Sequence, residues 1–189
     1  MLEIEAKMRL TDAAQLRARL RTIDADPGPR IEEVNHFFDT PDQTLRRTGQ
    51  GLRIRLERHS DKPLPQIIIT HKGPRTSSDL KIRPETQLHV ADMDDAAQLL
   101  GALGYVRVLS FEKRRTRWML DGCNIELDEL PRLGCFIEIE GPDESRVLTV
   151  RQKLVLSDEP LIVESYAEMV DRHLSSTNVA EKYLAFEPI

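Results

Sequence analysis

Aromatic residues are scarce in this 189-residue chain: one Trp, three Tyr and five Phe make up 5% of it. A barrel that stacks the bases of a nucleic acid needs aromatic platforms and a basic groove. The net charge of −5 and a pI near 5.6 supply no such groove, so no nucleic-acid partner is expected. Cysteine is scarcer still. Cys123 and Cys135 fall in strand-like runs that could lie side by side, which makes a bridge conceivable. Two cysteines without metal-ligand spacing read instead as buried thiols of a reducing cytoplasm. Long apolar runs are missing too, Ile67 to Ile69 being typical, and no stretch can cross a bilayer as a helix. Met1 leads straight into a strand pattern that leaves no room for a signal peptide, so a cytoplasmic protein is expected. His36, His59, His71, His89 and His173 show no metal-ligand spacing, and each reads as structural or exposed. With no repeat, low-complexity tract or long linker, the chain is expected to form a single domain over residues 1–189.

Charge is what the chain has in plenty, at 31% of residues, and it is set in alternation. In Leu2 to Leu10 the period of two puts Glu3, Glu5, Lys7 and Arg9 on one strand face and Leu2, Ile4, Ala6, Met8 and Leu10 on the other. The device recurs. Arg53 and Arg55 share a face in Leu52 to Glu57, and Lys72 is in phase with Ile68 and Thr70 in Gln66 to Lys72. Lys81, Arg83, Glu85 and Gln87 line up in Leu80 to Val90, where Pro84 points to an edge or a bulge. Lys113, Arg115 and Arg117 align in Phe111 to Leu120, Glu126 and Asp128 in Cys123 to Asp128, and Glu138 and Glu140 in Cys135 to Glu140. Ile31 to Phe38 completes eight strand-like runs, followed by a turn at Asp39-Thr40-Pro41-Asp42.

Helices interrupt these runs. Thr11 or Asp12 caps one carrying Leu16, Leu20 and Ile23, which Asp26-Pro27-Gly28-Pro29 ends. Asp92 caps a second that Gly104 stops, and Pro142-Asp143 opens a third over Glu144 to Leu154. A fourth is expected near Glu164 to Leu174, while Ser175 to Ile189 has no clear period. The fold expected is α+β: an eight-stranded antiparallel barrel with helices packed outside it. The apolar strand faces then meet the helices, and the charged faces turn inward. Trp118, out of phase with Lys113 and Arg115, packs outside.

Burying so many ions dry would cost several kcal/mol each, so the interior must be wet and occupied. Arginine and lysine from different strands suit a polyanion with several oxygens. Carboxylates on neighbouring strands repel unless a cation lies between them, and oxygen ligands beside phosphates point to Mg²⁺ or Mn²⁺. The pattern reads as a tunnel for a metal-bound phosphate chain.

These residues resemble the CYTH family of class IV adenylyl cyclases and thiamine triphosphatases, the triphosphate tunnel metalloenzymes. The likeness is carried by Glu3-Ile4-Glu5-Ala6-Lys7, Phe38-Asp39-Thr40-Pro41, Leu52-Arg53-Ile54-Arg55, Lys72-Gly73-Pro74, Arg83 with Glu85, and Lys113 with Arg115. Leu127-Asp128, Leu133-Gly134, Glu138-Ile139-Glu140 and Ser165-Tyr166 follow in the family's order. The resemblance implies that Glu3, Glu5, Asp128, Glu138 and Glu140 are metal ligands or support them, and that Glu3, Glu5 and Lys7 are catalytic. It implies that Lys7, Arg53, Arg55, Lys72, Arg83, Lys113 and Arg115 grip phosphates, with Glu85 in the same substrate site. Two positions depart from the pattern. Gln87 stands where many relatives have a further glutamate, and Phe37 where those hydrolysing thiamine triphosphate place a tyrosine.

The leading expectation is a metal-dependent hydrolase of inorganic or nucleoside triphosphate, acting on a small molecule. A class IV adenylyl cyclase making cyclic AMP and pyrophosphate uses the same tunnel and is the close alternative. A module that only binds polyphosphate is the third. Either a monomer or a homodimer fits.

Overall fold

The structure, a computed structural model, describes residues 2–76, 80–177 and 182–187. Met1 and part of the tail after Ser175 lie outside the described residues. The strands are β1 (Leu2–Leu10), β2 (Asp26–Asp39), β3 (Gly51–His59), β4 (Gln66–Lys72), β5 (Lys81–Val90), β6 (Val106–Leu120), β7 (Cys123–Leu130), β8 (Gly134–Glu140) and the short β9 (Tyr183–Leu184). The helices are α1 (Ala13–Thr22), α2 (Thr44–Arg47), α3 (Met93–Ala102), α4 (Glu144–Lys153) and α5 (Tyr166–Ser176).

Strand order β2-β3-β4-β5-β1-β8-β7-β6 returns on itself through β2–β6 pairing, which closes an eight-stranded antiparallel barrel; β9 adds to β6 in parallel. Closure leaves the eight strands no free edge. Pro84 is accordingly not on an edge. It sits where the β1 ladder ends and the β4 ladder begins, pairing with Leu2 while Glu85 pairs with Lys72, so its missing N–H falls at a handover. Asp26-Pro27-Gly28-Pro29 ends no helix but belongs to β2, which shifts register between Pro27 and Arg30. That bulge absorbs both prolines. A Cβ on Gly28 would lie 3.1 Å from the Arg117 carbonyl, so the strands approach too closely there for a side chain.

Two apolar clusters cover the outside. Leu16 and Leu20 of α1 and Val147 and Val150 of α4 pack on Ala6, Met8, Ile125, Leu127, Ile137 and Ile139, and Trp118 lies among them as its phase requires. Ala96 and Leu100 of α3 pack on Phe38, Leu52 and Ile54. Asp12, Asp92, Asp143 and Ser165 cap their helices through side-chain hydrogen bonds.

The last helix does something else. Toward one end of the barrel the inward faces change from charged to apolar: Phe37 on β2, Leu109 and Phe111 on β6, Leu130 on β7 and Phe136 on β8. Tyr166, Met169, Val170 and Leu174 of α5 pack on these inward residues. So α1, α3 and α4 cover outer faces as expected, while α5 seals part of the interior. This also explains why β6 begins at Val106 rather than Phe111, since its first inward residues are apolar and carry no charge alternation.

Both cysteines are free thiols. Cys123 starts β7 and Cys135 follows Gly134 at the start of the antiparallel β8, which places them at opposite ends of the pair, too far along the strands to bridge. No helix among the described residues is long and apolar enough to cross a membrane.

Candidate active site

The inward charged faces line a cavity of about 770 Å³. On β1, Glu3, Glu5 and Lys7 all point into it, and Lys7 is only 1% exposed. Glu3 accepts from Lys72 Nζ at 2.8 Å and from Arg83 Nε at 2.9 Å. Burial alone would raise its carboxyl, but these two cations outweigh burial and hold it well below the usual range. Glu5 accepts from Lys81 Nζ at 2.7 Å, yet burial and the nearby Glu138 push it up. Lys7 Nζ lies 3.3 Å from Glu138, donates to the Glu164 carbonyl at 3.0 Å, and is pulled down to about 7 by burial and by Lys81.

Across the barrel, Arg115 is the hub. Its Nε and Nη2 bind the two oxygens of Asp128 at 2.6 Å each, Nη2 also meets Glu138 at 2.7 Å, and Nη1 contacts Glu126. Lys113 donates to Asp128 at 3.1 Å. The Asp128 side chain is fully enclosed by these partners and does not line the cavity, unlike the other expected metal ligands. Arg117 is held by Glu126 at 2.8 Å, and Lys72 also reaches Glu85 at 2.7 Å.

Arg53 differs from all of these. It donates weakly to Asn35 at 3.3 Å, its Nε is buried without a partner, and no carboxylate pairs with it among the described residues. Burial and the adjacent Arg55 lower its guanidinium to about 10. Arg55 Nε lies 2.8 Å from Glu57 Oε1, close enough for an ion pair but not aligned as a hydrogen bond.

The acids face one another in register. Glu5 is directly across from Glu140, and Glu126 from Glu138. Glu140 is pushed up to about 7 by burial and by Glu126, Glu3 and Glu5.

Of the residues expected in the cavity, Arg9 is misplaced. It is exposed and donates to the Leu133 carbonyl at 2.9 Å, because β1 has reached the rim by that point. Several lining residues were not anticipated. Asn35 on β2 is one, and Glu33 before it, 2% exposed and 3.4 Å from Lys113, shares that inward face without lining the cavity. Glu57 and His59, in contact at 2.8 Å, continue the inward face of β3, so His59 is part of the cavity wall. Their phase was readable, Glu33 with Phe37 and Glu57 with Arg53, but each inward face had only one acid in it. Asp39 is a turn residue, its carboxylate accepting from the backbone N–H groups of Thr40, Leu45 and Arg46.

A CYTH domain model matches residues 1–169. The chain belongs to the CYTH family. The adenylate cyclase CyaB of Aeromonas hydrophila is 30% identical over 185 residues, covering 92% of this chain and 91% of that one. A solved protein of Pyrococcus horikoshii OT3 superposes with a TM-score of 0.80 at 27% identity, covering 90% of this chain and 99% of the other. A Hippeastrum protein, described as a putative adenylyl cyclase with a dominant triphosphatase activity, superposes at 0.68 with 17% identity, covering 95% and 97%. At that identity the likeness shows the fold alone.

In this CYTH barrel the donor chemistry fits a hard divalent cation. The facing pairs Glu5 with Glu140 and Glu126 with Glu138 supply oxygen ligands whose mutual repulsion such an ion would relieve. Among the described residues, however, no three acidic, histidine or cysteine side chains already stand in a ligating group. Lysines and arginines hold most of the acids in this arrangement, and a cation would compete with them.

Proposed function

We propose that this CYTH protein is an enzyme that hydrolyses a triphosphate, inorganic or nucleoside, with Mg²⁺ or Mn²⁺. The observation that carries this reading is Arg53, a half-buried guanidinium facing the cavity with its Nε enclosed and with no carboxylate partner among the described residues. A guanidinium in that state is matched by an anion from outside, and a phosphate oxygen pair fits its fork. Arg55, Lys72 and Arg83 extend the grip along the chain. Glu3, Glu5, Glu138 and Glu140 would hold the cation, while Asp128 stands behind them and fixes Lys113 and Arg115.

When bound, the cation supplies positive charge against the phosphate oxygens as charge builds on the leaving group. Lys113 and Arg115, already oriented by Asp128, add to that without reorganising. Glu5, with its raised carboxyl, is suited to take a proton from an attacking water, whereas Lys72 and Arg83 keep Glu3 ionised as a binding group.

Cyclisation of ATP is the second reading, and the 30% identity to an adenylate cyclase favours it. The nucleophile would then be the ribose 3′-hydroxyl and the product leaving would be pyrophosphate. A module that merely binds polyphosphate is disfavoured, because the facing acids would weaken plain anion capture. The experiment is to incubate the protein with Mg²⁺ or Mn²⁺ and either tripolyphosphate or ATP, then resolve phosphate, pyrophosphate and cyclic AMP. Phosphate from tripolyphosphate supports hydrolysis, cyclic AMP from ATP supports the second reading, and no product from either would sink both.

A further inference from the structure

Tyr166 opens α5 and is 8% exposed. Its ring meets Phe136 edge-on with centroids 5.4 Å apart, and Lys7 Nζ lies 3.9 Å from the ring centre, with Lys113 Nζ at 5.3 Å. Tyr166 lines the cavity, and its enclosed hydroxyl has no hydrogen-bond partner among the described residues. Buried hydroxyls are nearly always partnered, and leaving one unpaired costs free energy that a phenylalanine here would avoid. Two ammonium groups on one ring also draw an anion to its edge.

We propose that Tyr166 is a substrate-contacting residue whose hydroxyl donates to an oxygen of the bound phosphate chain, while its ring positions Lys7 for that same chain. The inference rests on the triphosphate reading above. The start of α5 is built as a fixed platform for it. Ile162 N donates to the Lys7 carbonyl at 2.8 Å, the Glu164 carbonyl accepts from Lys7 Nζ, and a reciprocal Ser165–Glu168 cap holds the first turn. Arg75 clamps this turn from the other side through both oxygens of Glu168 at 2.7 and 2.9 Å. Burial, with Asp128 and Glu138 nearby, keeps the phenol protonated far above its ordinary range, so it acts as a donor.

Calorimetric titration with inorganic tripolyphosphate and Mg²⁺ tests this on wild type, Tyr166→Phe and Tyr166→Leu, alongside melting of the ligand-free proteins. Tyr166→Phe keeps the ring and sheds the unpaired hydroxyl, so it should melt at or above the wild-type temperature when ligand-free, yet bind tripolyphosphate about tenfold more weakly. Tyr166→Leu should bind more weakly still, because Lys7 is then no longer held for the chain. Binding by Tyr166→Phe equal to wild type would overturn the proposal, as would a ligand-free melting temperature several degrees lower, which would give the hydroxyl a structural role. Wild type that binds no tripolyphosphate would overturn the triphosphate reading itself.

Discussion

Glu5 on β1 and Glu140 on β8 stand directly across from each other, two carboxylates on one inward face of adjacent antiparallel strands. Like charges in such a pair are destabilising. The barrel therefore carries a local conflict where its acids converge, and from that conflict a response of stability to pH and to cations is expected.

Glu140 is pushed from an ordinary 4.5 up to about 7. The folded state holds this proton more tightly than the unfolded state does, so stability present below about 4.5 falls as pH rises toward 7 and stays lower above it. Glu140→Gln should therefore stabilise the ligand-free protein at pH 8 by up to about 3 kcal/mol and have little effect at pH 4.5. Urea unfolding at both pH values checks this, and an equal effect at each would count against it.

Removal of divalent metal should abolish turnover, and Mg²⁺ or Mn²⁺ should restore it. At pH 8 the same cations should raise the melting temperature of the ligand-free protein, by less in Glu5→Gln. Full activity in excess EDTA would refute the assignment of the acid face to a cation.

Arg53 and Arg115 should behave oppositely. Arg53 has no carboxylate to strand among the described residues, so Arg53→Ala should leave ligand-free stability nearly unchanged while weakening tripolyphosphate binding at least about tenfold, the loss expected for a charge-assisted hydrogen bond. Arg115→Ala takes from Asp128, Glu126 and Glu138 the cation they share, leaving each with one partner, and should cost about 3 to 5 kcal/mol of stability. Wild type saturated at about 100 times its dissociation constant should gain about 2.7 kcal/mol, a melting shift of about 5 to 11 °C. Calorimetry and melting curves on both variants would expose the idea as wrong if Arg53→Ala unfolds the protein or binds normally.

Glu112 faces outward, as its phase requires, but it is not idle. It accepts from Tyr183 Oη at 2.8 Å and from Phe186 N at 3.0 Å, which ties the C-terminal strand to β6. Glu112→Ala should cost about 1 kcal/mol and speed proteolysis of the tail without changing tripolyphosphate affinity. Unaltered proteolysis would show that β9 pairing alone holds the tail.

The sequence by itself determined which face of each strand is charged, because the pleat fixes a period of two locally: Glu3, Glu5 and Lys7 cannot point elsewhere once Leu2 to Leu10 is a strand. It also determined the outer packing of α1, α3 and α4, whose apolar stripes match the outward strand faces. Only the tertiary structure decided that Lys81 rather than Lys72 meets Glu5, that Arg115 gathers Asp128, Glu126 and Glu138, and that Arg53 is left over. Those outcomes follow from register between strands far apart in sequence, which alternation does not encode. The placement of α5 was likewise beyond local reading. Its stripe of Tyr166, Met169, Val170 and Leu174 fits any apolar surface, and only barrel closure brought Phe37, Phe111, Leu130 and Phe136 together to make one on the inside.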